Sequence, residues 1–174
     1  DLANYNITDD DQGNGVGRWR TRRQKAASFI DELPDLSVPL ATYRKNLETF
    51  VDLLRARSIR VLLITQPTLW RADLSEGEAK TLWMGGKGDF LKQDGLSYYT
   101  PRALAEGMQK FNETMLSVCR ERDVECFDLA ARIPKVSSFF YDDCHFGDRA
   151  SETVADLVSE SLKASPPFSA PGAV

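Results

Sequence analysis

The stretch Ile59-Arg60-Val61-Leu62-Leu63-Ile64-Thr65, closed by Gln66-Pro67, most narrows what this chain can fold into. A continuous apolar run stopped by a proline reads as a strand buried on both faces, the pattern of a parallel sheet. Directly before it, Tyr43, Leu47, Phe50, Val51 and Leu54 recur at i, i+4, i+7, i+8 and i+11, one face of an amphipathic helix. Pro39 near its start and Arg55 and Arg57 near its end agree with helix polarity. A helix leading straight into such a strand is an α/β unit. The uniformly apolar part, residues 61–64, is far too short to span a bilayer. With 174 residues, 42% of them apolar, the chain is one domain's worth and can build a sizeable core. A net charge of −4 gives no electrostatic footprint for nucleic acid.

A second unit follows. Thr100-Pro101 opens a helix, with Thr as N-cap and Pro at its first position. Leu104, Met108, Phe111, Met115, Val118 and Cys119 form its apolar stripe, and Arg120 and Arg122 its basic end. Residues 124–129 read as another strand. Pro134 stops the turn after it. Ala150, Val154, Leu157, Val158 and Leu162 predict a final helix, and residues 165–174 a disordered tail. Between the units, residues 68–99 form an irregular insertion or lid, with a short helix within residues 75–82. Open α/β sheets bind ligands beyond the C-terminal ends of their strands, where this insertion starts. Trp70, Trp83, Met84 and Tyr98 are therefore candidates for a substrate wall, and anchoring the insertion is the equal alternative.

The first 17 residues read as a solvated loop. Asp9-Asp10-Asp11-Gln12-Gly13-Asn14-Gly15 lacks the register of a calcium loop, and Arg18, Arg20, Arg22, Arg23 and Lys25 are expected to balance its charge. The N-terminus has neither the basic start nor the apolar stretch of a signal peptide. Two sequons, Asn6-Ile7-Thr8 and Asn112-Glu113-Thr114, carry meaning only in a secretory eukaryotic context. Cys119, Cys126 and Cys144 permit one internal bridge. Either Cys126 pairs with Cys144, tying that loop to the sheet, or all three are reduced.

The loop in question is Phe139-Phe140-Tyr141-Asp142-Asp143-Cys144-His145-Phe146, and His145 is the only histidine. Histidine is the default general base near neutral pH, and a carboxylate on its second ring nitrogen would fix its tautomer. The order of helix, strand with insertion, helix, strand, Asp-x-x-His loop and helix resembles the C-terminal portion of an SGNH (GDSL-type) hydrolase. Asp142, His145 and Phe146 match that family's last block, and Ala155 stands where it places a small helix-packing residue. The likeness covers residues 38–163. Gly147 replaces the more usual Thr or Asn, and Ala150 a Gly.

The resemblance implies a three-layer α/β/α domain with a parallel sheet, the flavodoxin-like SGNH fold, of which residues 1–164 are the C-terminal part. It implies hydrolysis of a small-molecule ester through an acyl-enzyme, with His145 as general base and Asp142 orienting it; no cofactor is called for. The Asp-x-x-His spacing picks Asp142, leaving Asp143 an exposed neighbour. The family's Gly-Asp-Ser block is not in the sequence, and Asp1-Leu2 resemble the end of its Gly-x-Asn-Asp block. The nucleophilic serine and oxyanion hole are thus expected on a companion N-terminal segment or chain, which would also partner the two strands. The rival reading is a non-catalytic carbohydrate- or ligand-binding module using Trp70, Trp83 and Tyr98. Metal-dependent hydrolysis through Asp142, Asp143 and His145 is disfavoured, because one histidine and two adjacent carboxylates make a poor ligand set.

Overall fold

The structure, a computed structural model, describes residues 9–164, with side chains from residue 15. Asp1-Leu2, the sequon at Asn6, the acidic side chains before Gly15 and the tail at 165–174 lie outside that description. The chain divides into two units: Pro34–Leu69 with residues from Ala105 onward, and residues up to Leu33 with Trp70–Leu104. The fold is mixed α/β, with five helices and short parallel strand pairs among the described residues.

In the larger unit, α2 (Ser37–Arg55) leads into β2 (Leu62–Ile64), which pairs in parallel with β4 (Glu125–Phe127). Val51 of α2, Leu63 of β2, and Met115 and Cys119 of α4 (Pro101–Arg122) form the core. Tyr43, Leu47, Val61, Leu116, Val124 and Cys126 pack around them. The period-2 pleat explains the choice, since Val61 and Leu63 share the face that meets α2 and α4. Ile64 points the other way and is 38% exposed. The expectation of burial on both faces is therefore corrected for the described residues. Phe50, central in the expected stripe of α2, is likewise 51% exposed, so only the Val51 side of that stripe is covered.

Cys119 is bonded to Cys126, with Cα atoms 6.1 Å apart, and Cys144 is free. Neither sequence alternative holds. The chain leaves α4, turns through Asp123 in the left-handed region (φ 51) and returns along β4. That return sets Cys126 beside the inward face of the helix that just ended, where Cys119 lies. At the other end of α4, the Thr100 hydroxyl caps the Ala103 N–H and donates to Asp31, as the Thr-Pro signature predicts.

The smaller unit departs most from expectation. The glycine-punctuated start forms α1 (Asp9–Gln24), which a tertiary framework imposes over weak helix propensity. Its donors cap the carbonyls of the irregular segment: Arg20 to Thr81, Arg23 to Met84 and Tyr99, Gln24 to Lys80, Trp19 to Leu91. The basic cluster thus laces the loop through its backbone carbonyls. β1 (Ser28–Ile30) and β3 (Ser97–Tyr99) pair in parallel, and Gly86 bridges to Tyr98 from the other side. A Cβ at Gly86 would meet Phe90 at 2.3 Å, so only glycine fits there. The short helix expected within residues 75–82 is α3 (Glu76–Ala79), opened by a Ser75–Glu78 capping box. Hydrogen bonds from Arg71, then from the Ser75 backbone and hydroxyl, hold the Glu78 carboxyl down at about 2.

Two predictions follow from these contacts. A thiol assay on the denatured, unreduced chain should find one reactive thiol, and replacing both Cys119 and Cys126 with Ser should cost about 2–3 kcal/mol in urea unfolding. Glu78 titrates lower when folded, so its stabilisation is present above pH 4.5 and lost as pH falls towards 2. All three tryptophans, Trp19, Trp70 and Trp83, belong to the smaller unit, so tryptophan fluorescence reads its melting. Glu78→Gln should flatten that acid limb, and an unchanged pH profile would contradict the assignment.

Candidate active site

The site grows from the C-terminal ends of β2 and β4. Thr65 donates its hydroxyl to Asp128 and accepts the Ala130 N–H, clasping the two strand ends together. Asn112 of α4 holds the Gln66 backbone on both sides, accepting its N–H and donating to its carbonyl, each at 3.0 Å. The sequon asparagine is thus committed inside the unit, a role its sequence context does not signal.

From this base the chain reaches the histidine loop. Phe140 and Phe146 form an antiparallel bridge with ring centroids 5.4 Å apart, and Gly147 donates its N–H to the Phe139 carbonyl. Within that frame Tyr141 donates its N–H to the His145 carbonyl, closing a tight turn. Leu69, just beyond β2, donates to the Asp143 carbonyl and fastens the loop to the strand end. α5 (Asp148–Lys163) follows at once, with Gly147 at its N-cap and no side-chain cap. Ala150 is buried, but Ala155 is exposed, contrary to its expected packing role. With Phe146, Val154, Val158 and Leu162 it lines an open apolar cavity of about 650 Å³ along α5.

Asp142 is 0% exposed, and its Oδ1 accepts the backbone N–H groups of Cys144 and His145, both at 3.0 Å. Its two oxygens lie 2.9 and 2.8 Å from Nδ1 of His145. An ionised carboxylate only accepts, so Nδ1 carries the proton and Nε2 presents its lone pair. The imidazole is 51% exposed, and among the described residues Nε2 makes no hydrogen bond. Tyr141 stacks on it, a neighbour that sequence reading did not single out although it lies one turn away in the same loop. The arrangement is an imidazole whose tautomer is set by a buried carboxylate, a geometry able to serve as a base.

Asp143 is also 0% exposed, which corrects the expectation of an exposed neighbour; tethering of its carbonyl by Leu69 draws it inward. Burial, then the charges of Asp142 and Asp143, push the Cys144 thiol up to about 11. The ligand atoms of Asp142, Cys144 and His145 lie within 4.8 Å of one another. They fit a metal poorly, because three N–H donors already occupy the Asp142 carboxylate.

Trp70, Trp83 and Tyr98 lie in the smaller unit. Trp70 is buried there, Trp83 sits between Trp19 (4.8 Å) and Phe90 (6.4 Å), and Tyr98 is 1% exposed beneath the Arg23 guanidinium. Each of the three has its burial or its ring contacts inside that unit.

As a check on the pair, Asp142→Asn should release the Nδ1–H tautomer. Nitrogen-15 spectra of the single histidine at high pH should show Nδ1 protonated in the wild type and a mixture in the variant; identical spectra would refute the contact. Comparison with protein-family models, with curated proteins and with solved structures gives no match.

Proposed function

We propose that this chain is the acid–base portion of an SGNH-type serine hydrolase that cleaves an ester through an acyl-enzyme, within a three-layer α/β/α domain. The observation that carries the reading is the Asp142–His145 pair, with Nδ1 bound to a buried carboxylate and Nε2 open. In the proposed reaction a serine outside these 174 residues attacks the ester carbonyl as Nε2 of His145 takes its proton. Asp142 keeps the tautomer and stabilises the imidazolium. His145 then gives that proton to the leaving alcohol and activates water to release the acyl group. Cys144 does not compete as nucleophile near neutral pH, because its thiol is pushed up to about 11.

The serine and oxyanion hole belong, in this reading, to a companion N-terminal segment or chain. Its support is apolar surface left open in the larger unit: Ile64 on β2, Phe50 and Leu53 on α2, and the groove along α5. A parallel strand with an apolar residue on each face calls for cover on both. Small esters, carbohydrate O-acetyl or lipid, are the proposed substrates.

The test is covalent labelling of whole material with a fluorophosphonate, read by intact mass. A serine-bearing polypeptide should accompany this chain and take up one label. His145→Ala should slow that labelling by about 10²–10⁴-fold. Labelling that persists unchanged in His145→Ala, or no label in the wild type, would sink the proposal.

A further inference from the structure

The contact that ties His145 to Asp142 leaves the imidazole one freedom. Nδ1 lies almost equally far from both carboxylate oxygens, at 2.9 and 2.8 Å, so a small pivot trades one acceptor for the other. That pivot swings Nε2, the atom that must meet a proton in flight, and a misplacement of about 1 Å at a reacting centre can cost about 10²-fold. The carboxylate therefore chooses the tautomer but does not by itself choose the direction of Nε2.

Tyr141 supplies the missing restraint. Its ring stacks on the imidazole with centroids 5.6 Å apart and planes inclined by 30°. The two backbones that carry the rings are tied together, since the Tyr141 N–H is bonded to the His145 carbonyl at 3.1 Å. The preceding residue, Phe140, is buried against Phe146. We infer that Tyr141 is a positioning residue for His145: its ring face blocks rotation of the imidazole and keeps Nε2 on one line. This rests on the reading of His145 as general base. Asp142 and Tyr141 then divide the work, one setting which nitrogen holds the proton and the other setting where the free nitrogen points. Tyr141 is itself half exposed, so losing its ring leaves the core intact.

The test compares Tyr141→Phe, Tyr141→Leu and Tyr141→Ala in the whole protein with its companion segment, after thermal melts show that each is folded. Because His145 is the only histidine, its two carbon-bound ring protons give single proton resonances. Stacking should displace them by ring current in the wild type and in Tyr141→Phe, and Leu and Ala should both abolish the displacement. With p-nitrophenyl acetate as probe, Leu and Ala should lower kcat by about 2- to 12-fold with KM held, and Phe should stay close to wild type. Leu or Ala hydrolysing like the wild type would overturn the inference, as would Phe falling as far as Ala. Failure of the wild type to hydrolyse the probe and to take up a fluorophosphonate would instead defeat the hydrolase reading. The ring-proton shifts would then decide by themselves whether Tyr141 holds His145.

Discussion

A carboxylate with no access to water cannot remain charged without donors, and at Asp142 all the described donors come from its own loop. Two backbone N–H groups and one imidazole nitrogen converge on it, which is possible only if residues 141–145 close into a tight turn. That turn needs a rigid frame, supplied by the Phe140–Phe146 pair and by the tether from Leu69 to Asp143. Leu69 in turn follows a strand end that Thr65, Asp128 and Asn112 clasp. The geometry of His145 is thus the last link in a chain of satisfied polar groups that starts at the sheet.

The two units are held by different physics. In the larger one, apolar periodicity on α2, β2 and α4 buries a core of ordinary kind. In the smaller one α1 is joined to the irregular segment by arginine and indole donors on backbone carbonyls, with the Trp19 and Trp83 rings in tilted contact between them. Planar guanidinium groups suit this role, since Arg23 reaches two carbonyls at once while lying almost wholly buried.

What was legible in the sequence follows from the same division. The helices of the larger unit, the strands near 62–64 and 125–127, and the Thr100 cap could be read because periodicity and capping are local signals, whereas the pairing of those two strands with each other could not. The Asp142–His145 contact could be read because three residues of spacing suffice to bring the groups together. Helix α1 was not legible, because its partners lie some 60 to 70 residues away and its own glycines argue against it. Nor was the bridge between Cys119 and Cys126, which depends on how the chain turns at Asp123. The inward turn of Asp143 and the commitment of Asn112 depend equally on long-range contacts that no motif encodes.

Cys144 lies in the same chain as a disulfide, a combination that invites scrambling, since a free thiolate attacks bridges and re-pairs them. Its half-buried position and the two neighbouring aspartates push the thiol up to about 11, leaving roughly one part in 10⁴ as thiolate at neutral pH. An unperturbed cysteine would carry about three hundred times more. The burial of this loop, and the negative charge gathered around its imidazole, therefore also quiet a nucleophile beside it. Burial and negative charge together thus keep the free thiol from re-pairing the Cys119–Cys126 bridge.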